Sequence, residues 1–198
     1  MRRTSVRTLL AVTGAALAGL LVIAASLLLW GSAYVHNSVR NQLAAQQIYF
    51  PAKAAFAHPK AGTEITPSMI PAVSQYAGQQ LLTGQQAETF ADHFITVHIA
   101  SMGGGKTYSQ LSAESLAQPA NAKLAALVST VFKGESLRGM LLNAYGWWKA
   151  SQIMYIAALT AYGLAALALA GSAIALVRGH KAHTPTETVP TQAENITA

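Results

Sequence analysis

Two long runs without a charged residue limit what this chain can fold into more than any other feature. Thr8–Val39 contains 32 residues and Ala150–Val177 contains 28, and neither run includes Asp, Glu, Lys or Arg. About 20 apolar residues in helical form are enough to cross the hydrocarbon core of a bilayer. The sequence therefore predicts a two-pass membrane protein with a long segment between its spans.

The composition agrees with a membrane protein and excludes several classes of site. Charged residues make up 10% of the chain, against roughly 25% in a typical soluble domain. The chain has no cysteine, which excludes disulfides, thiolate metal sites and thiol nucleophiles. Its net charge of +6 is spread along the sequence and forms no basic patch. We therefore expect the lipid bilayer, and no nucleic acid, among its partners.

The positions of the basic residues predict the orientation. Positive residues close to a span stay in the cytoplasm. The residues concerned are Arg2, Arg3 and Arg7 before the first apolar run, and Arg178 and Lys181 after the second. A cleaved signal peptide is the alternative for the first run, but its apolar core, Leu9–Trp30, is longer than the roughly 7–15 residues of a signal peptide.

These observations give a division of the chain into five parts. The parts are a cytoplasmic tail (1–8), transmembrane helix 1 (9–30), an extracytoplasmic helical domain with stalk helices (31–150), transmembrane helix 2 (151–177) and a disordered cytoplasmic tail (178–198). Aromatic residues expected at the outer boundary of the membrane are Trp30, Tyr34, Trp147, Trp148 and Tyr155.

The segment between the spans carries helix signals and no alternating pattern that would indicate a sheet. Thr83 with Gln86, and Thr107 with Gln110, have the spacing of a capping box. The helices expected here are 33–50, 83–101, 107–117, 119–132 and 135–148, with a Pro-rich loop at 51–71. The predicted fold is an all-α membrane protein in which two transmembrane helices flank a small helical extracytoplasmic bundle.

Two patterns indicate how these helices pack. The residues Leu124, Leu127, Val128, Val131 and Phe132 have the spacing of a one-sided core stripe. In the spans, small residues recur every four positions, as in Gly14 with Ala18 and Ala15 with Gly19. This spacing favours helix pairing, although an Ala-rich composition alone also produces it. Self-association through the transmembrane helices is therefore one expected interaction.

One cluster of side chains has the chemistry of metal ligands. The weak candidates for a metal site are Glu88, Asp92, His93 and His98. On an α-helix, His93 and His98 would project about 140° apart, so they would not easily share one ion. His36 and His58 could join them only through long-range folding. We therefore expect no metal and no cofactor.

Two further patterns resemble a nucleotide site and a catalytic site. Ala100–Thr107 resembles a permissive phosphate-binding loop, but Asp92, the only Asp in the chain, lies upstream of it. We interpret Gly103–Gly105 as a helix stop and Lys106 as a solvated side chain, and expect no nucleotide. Asp92 and His93 are adjacent and diverge by about 100°, so they cannot act as a catalytic relay. No catalytic residue is predicted.

Several blocks of the sequence resemble a family of small two-pass membrane proteins from actinobacteria. The blocks are AQQIYFPA at 45–52, YAGQQLLTGQQAETFADHFITVHI at 76–99, GGKTYSQ at 104–110 and FKGESLRGMLLNAYGWW at 132–148. The resemblance covers about residues 5–178 and implies terminal spans around an outer domain, with no catalytic residue to carry over. Some members are labelled ring-opening dioxygenases, a chemistry that needs an iron site.

The sequence thus favours a non-enzymatic membrane protein of the cell envelope, a scaffold or accessory subunit that binds another protein through its outer domain. A receptor-like sensor that acts through a partner is the first alternative. A metal-dependent oxidoreductase that uses His93 and His98 is the second. Stoichiometric bound metal would favour the oxidoreductase, and a cytoplasmic partner lost on deletion of 179–198 would favour the sensor.

Overall fold

The computed structural model describes residues 2–57, 59 and 65–181, and this part of the chain is predominantly helical. The α-helices are α1 (Arg2–Ala45), α2 (Lys53–Ala57), α3 (Ile70–Val73), α4 (Gly84–Thr89), α5 (Thr96–Met102), α6 (Tyr108–Ala117) and α7 (Ala122–Lys181). A 3₁₀ turn, Ser74–Tyr76, follows α3, and a π-helix, Phe90–Ile95, joins α4 to α5. The described residues contain no strand, only an isolated bridge between Tyr49 and Gln80. His58 and most of the predicted cytoplasmic tail lie outside them.

The chain divides into two compact units. The central unit is Leu28–Ile156, and the terminal unit combines the residues up to Leu27 with those from Ala157 onward. Each of the two long helices, α1 with 44 residues and α7 with 60, is long and apolar enough to cross a membrane. Both helices extend beyond the predicted spans.

In the terminal unit, α1 and α7 pack through small side chains repeated every seven residues. The buried residues of this seam are Ala11, Ala18 and Ala25 on α1, with Ala158, Ala165 and Ser172 on α7. A Cβ atom added to Gly14 would collide with the hydroxyl of Ser172, so the backbones approach closely there. Of the two pairs of small residues predicted on the first span, Gly14 with Ala18 lies in this seam. The other pair, Ala15 with Gly19, is exposed.

One hydrophobic core organises the central unit. Its fully buried members include Met69, Val73 and Leu81, which come from the segment between α2 and α4, and Val131 on α7. The ring of Phe90, in the π-helix, packs edge-on against the ring of Phe50, with the centroids 5.3 Å apart. Its centroid lies 4.6 Å from that of Phe94. The core therefore joins segments that are far apart in the sequence.

Both predicted capping boxes are confirmed. The hydroxyls of Thr83 and Thr107 accept hydrogen bonds from the backbone N–H groups of Gln86 and Gln110, and both glutamine side chains bond back to the capping residue. The predicted stop at Gly103–Gly105 is also confirmed, since Gly104 and Gly105 have positive φ angles that favour glycine.

The π-helix is a feature that the sequence analysis missed. The backbone N–H of Thr96 bonds to the carbonyl of Ala91, five residues earlier, and the Thr96 hydroxyl donates to the same oxygen at 2.9 Å. This wider turn changes the directions in which side chains at 90–95 project. The angle of about 140° predicted between His93 and His98 assumed a regular α-helix, and that assumption is wrong.

The predicted end of the first stalk is also wrong. Helix α1 ends at Ala45 rather than just before Pro51, and Gln47 adopts a left-handed φ of 52°. The backbone that follows pairs with the segment before α4, because Phe50 N–H bonds to Gln79 and Leu81 N–H bonds to Ile48. These tertiary hydrogen bonds replace the ones that a longer helix would make.

Helix α7 differs from prediction at both of its expected boundaries. It begins at Ala122 rather than at Pro119, because the side chain of Asn121 accepts a hydrogen bond from Leu124 N–H at 3.1 Å. It also continues through Gly134 without a break. A Cβ atom at Gly134 would lie 2.8 Å from the side chain of Ile99, so this glycine permits close packing and does not end a helix.

Two aromatic residues do not occupy their predicted environments. Phe132 is 54% exposed and contacts Tyr108 at the surface, so it is not part of the core stripe. Trp148 is only 6% exposed and packs against Gly84 and His36. It is therefore a core residue of the central unit and not a boundary aromatic.

Candidate functional site

The four predicted metal-ligand candidates follow one another along α4, the π-helix and α5. Glu88 lies on α4, Asp92 and His93 lie in the π-helix, and His98 lies on α5. Each of the two acids faces a different residue of α7. Among the described residues, no group of three or more His, Asp or Glu side chains is placed to hold a metal ion.

Asp92 forms an ion pair with Arg138. The distance between Arg138 Nη2 and Asp92 Oδ1 is 2.9 Å, and Glu135 lies 3.7 Å from the same guanidinium. The side chains of Arg138 and Asp92 are 33% and 39% exposed, so this pair contributes about 0–1 kcal/mol to stability. Its structural consequence is that the Asp92 carboxylate holds the π-helix against α7.

Glu88 interacts with Tyr145 on α7. The pKa of Tyr145 is raised above its usual 10.0, chiefly because the Glu88 carboxylate lies where it can accept a hydrogen bond from the Tyr145 hydroxyl, with desolvation and the negative charge of Glu88 acting in the same direction. Tyr145 is therefore a protonated donor at neutral pH. Since its folded-state pKa is raised, the stabilising contribution is present below about pH 10 and is lost as the pH rises through the raised pKa.

The histidines have different surroundings. His98 donates from Nδ1 to the carbonyl of Phe94 at 2.9 Å, and its buried Nε2 has no hydrogen-bond partner among the described residues. His93 is exposed, and the ring of His36 lies tilted against the ring of Trp148, with the two centroids 4.0 Å apart. A single imidazole with a free nitrogen is too small a set of ligands for Zn or Fe.

The glycine-rich segment before α6 has a structural role in the described chain. Gly103 ends α5, and the Lys106 ammonium forms an ion pair with the Glu114 carboxylate on α6. Lys106 is exposed to solvent, as predicted, and also forms this ion pair at the surface. The segment joins two helices, whereas a phosphate-binding loop follows a strand.

A large groove in the central unit was not predicted. It is a groove of about 870 Å³ between the stalk of α1 and the adjacent part of α7. The lining residues are Tyr34, Val35, Ser38, Val39, Gln42, Leu43, Gln46, Ile48, Ser136, Leu137, Gly139, Met140, Leu141, Asn143, Ala144 and Trp147. None of these residues is charged, and we refer to this feature as the stalk groove.

Large apolar side chains on α7 remain exposed in the stalk groove. Leu137, Met140 and Trp147 are 36%, 69% and 57% exposed. With Ala144 they recur at i, i+3, i+7 and i+10, which is the spacing of a helix face that packs against another helix. Leu141 and Trp148, which lie beside this stripe on α7, are buried in the core. This second stripe is the signal for the groove in the sequence, and it lies outside the predicted core stripe at 124–132.

Comparison of the chain with protein-family models, with curated proteins and with solved structures finds no match.

Proposed function

We propose that this chain is a two-span integral membrane protein of the cell envelope whose central unit binds another protein outside the cytoplasm, as an accessory or scaffold subunit. The proposal includes its membership of the actinobacterial family of two-pass proteins that it resembles. The observation that carries it is the uncharged stalk groove with its exposed apolar stripe.

The surface of the terminal unit supports insertion in a membrane. Leu9, Leu20 and Leu167 are among many large apolar side chains that remain exposed on α1 and α7. Water solvates such a continuous apolar surface poorly, whereas lipid tails accommodate it. The buried seam of small residues lies between the two helices and leaves the larger side chains free to face lipid.

The charges at one end of the terminal unit support the proposed orientation. The side chain of Arg7 on α1 donates a hydrogen bond to the backbone carbonyl of Arg178 on α7 at 3.5 Å. The basic end of α1 and the basic end of α7 therefore meet. Under the positive-inside rule, this shared end belongs in the cytoplasm, and the central unit then lies outside it.

Labelling of introduced cysteines tests this orientation. Ala113 is exposed on α6, and an Ala113→Cys variant should react in intact cells with a membrane-impermeant maleimide. A Thr186→Cys variant should react only after the cells are permeabilised. The chain has no native cysteine, so the signals need no subtraction. Labelling of Thr186→Cys alone in intact cells would reverse the proposed orientation.

The chemistry of the stalk groove identifies the kind of partner. On the α1 side the groove runs from Tyr34 to the end of the helix at Ala45, and twelve helical residues are about 18 Å long. An apolar helix can dock in such a groove through residues at i, i+3 and i+7. Because the lining carries no charge, the favoured partner is an apolar, uncharged helix of another membrane protein.

Photo-crosslinking tests the partner. A benzoylphenylalanine that replaces Met140 should crosslink in native membranes to a distinct second protein, because Met140 is an exposed residue of the apolar stripe in the groove. The matched control is the same probe at Gly146, which lies on the same helix with open space around its Cβ position and does not line the groove. A Leu137→Lys substitution should remove the Met140 crosslink by burying a charge in an apolar contact. Equal crosslinking at both positions, or crosslinks to lipid alone, would contradict a protein-binding groove.

A receptor-like sensor is a second candidate, and one observation favours it. Helix α7 runs without a break from Ala122 in the central unit to Lys181, so a rotation of the helix could pass along its length. In this case, deletion of 179–198 would abolish binding of a cytoplasmic partner.

A further inference from the structure

A second cavity lies where the central unit meets the ends of the apolar runs. It is an open depression of about 570 Å³ between α1 and α7, entirely within the central unit. Its wall includes two large apolar residues, Leu29 and Ile156, and four larger polar residues, His36, Asn37, Gln152 and Tyr155. We refer to it as the boundary cavity.

The polar side chains of the boundary cavity are free to bind a ligand. Within the described residues, no protein hydrogen bond engages the side chain of Asn37, Gln152 or Tyr155. By contrast, two hydroxyls at the cavity wall are already used, because Ser32 donates to the carbonyl of Ser151 and Ser151 donates to the carbonyl of Trp148, both at 2.7 Å. The cavity therefore combines fixed walls with unused donors.

The position of these groups along α1 matches the polarity profile of one membrane leaflet. Leu29 belongs to the first apolar run, and Asn37 lies eight residues further along α1, a rise of about 12 Å. The chemistry of the wall thus changes from apolar to polar over this distance. The headgroup region of a bilayer is about 5–8 Å thick on each side of the hydrocarbon core, so a lipid headgroup and the start of its acyl chains fit this profile.

We propose that the boundary cavity binds the phosphodiester headgroup of a membrane phospholipid, which rests on the membrane placement in the proposed function. The amides of Asn37 and Gln152 and the hydroxyl of Tyr155 would donate to phosphate oxygens, while an acyl chain lies along Leu29 and Ile156. His36, held by Trp148, supplies a further ring nitrogen. No Lys or Arg lines the cavity, so recognition depends on neutral donors and does not select the charge of the remaining headgroup.

Native mass spectrometry of the full chain released from detergent tests this site. The probes are phosphatidylglycerol, dioleoylglycerol, which lacks the phosphodiester, and glycerophosphoglycerol, which lacks the acyl chains. We expect phosphatidylglycerol adducts on the unmodified chain and weak binding of the other two probes. Asn37→Ala combined with Gln152→Ala should lower phosphatidylglycerol binding about a hundredfold or more, because two hydrogen bonds to a charged group are lost.

The matched control is Asn41→Ala combined with Gln85→Ala, two exposed residues outside the cavity, and it should bind lipid like the unmodified chain. Equal loss in both pairs, or no loss in either, would overturn the proposal. If dioleoylglycerol bound as well as phosphatidylglycerol, the site would be only an apolar contact. If glycerophosphoglycerol bound as well as phosphatidylglycerol, the ligand would be a soluble phosphodiester. Either result would overturn the lipid-headgroup assignment.

Alkaline carbonate extraction of native membranes separates this proposal from the proposed function. Release of the chain by carbonate would overturn both, because each requires a span. A chain that resists extraction and binds phosphatidylglycerol, but gives no protein crosslink at Met140, would overturn only the partner-binding function.

Discussion

Replacement of Phe90 by alanine should destabilise the central unit by about 3–5 kcal/mol, the usual cost of truncating a buried phenylalanine. Phe90 is 7% exposed and contacts the rings of Phe50 and Phe94. It also lies at the first position of the π-helix, so the cavity left by its ring would lie beside the wider turn. Denaturant unfolding in detergent micelles, followed by tryptophan fluorescence, would measure the loss.

Phe132→Ala is the matched control for this prediction. The sequence pattern assigns Phe132 to the core. Its side chain is nevertheless largely exposed, and its ring packs against the ring of Tyr108 at the surface. Its truncation should cost about 1 kcal/mol or less. Similar losses in the two variants would mean that the core stripe of α7 extends to Phe132 after all.

Replacement of Ala18 by leucine should destabilise the pairing of α1 with α7 in the terminal unit by about 1–3 kcal/mol. Ala18 is 1% exposed and lies in the seam with Ala11 and Ala25. The nearby position Gly14 has no room even for a Cβ atom beside Ser172, so the seam has little space for a larger side chain. Titration of the purified protein with sodium dodecyl sulfate in mixed micelles would give the change in the free energy of unfolding.

Ala15→Leu is the control for the seam. Ala15 is exposed on the same helix, so the added leucine would face lipid or detergent and should change stability by no more than about 0.5 kcal/mol. If Ala15→Leu proved as damaging as Ala18→Leu, the helices would pair through the other small-residue face that the sequence offers.

The local signals of the sequence were sufficient for several helix boundaries. Thr83 and Thr107 form the capping boxes that their spacing predicts, and Gly104 and Gly105 take up the left-handed turn that ends α5. These signals act between residues three or four positions apart. They can therefore be read without knowing what the rest of the chain does.

Signals that depended on a distant partner were misread. A glycine such as Gly134 often ends a helix, but this one lies inside α7, where the side chain of Ile99 packs closely against it. Trp148 has the sequence position of a boundary aromatic, but Gly84 and His36 bury its ring. In both cases the deciding contact comes from an element remote in the sequence, and a single glycine or tryptophan carries no information about it.

The candidate metal site illustrates the same division. The sequence brought Glu88, Asp92, His93 and His98 to attention by their residue types. Only the tertiary structure assigned Arg138 to Asp92 and Tyr145 to Glu88, and only the structure revealed the π-helix that changes their directions.

The sequence by itself determined that two long helices are apolar enough to cross a membrane and that helical elements fill the segment between them, because charge exclusion, apolar length and capping are properties of contiguous residues. Only the tertiary structure decided which small residues form the seam of the terminal unit and which face of α7 is left open beside the stalk of α1. An Ala-rich helix offers small residues on several faces, and a stripe of apolar residues looks the same whether it is buried or exposed. The choice among those faces is made by packing against residues more than a hundred positions away, and no local pattern contains it.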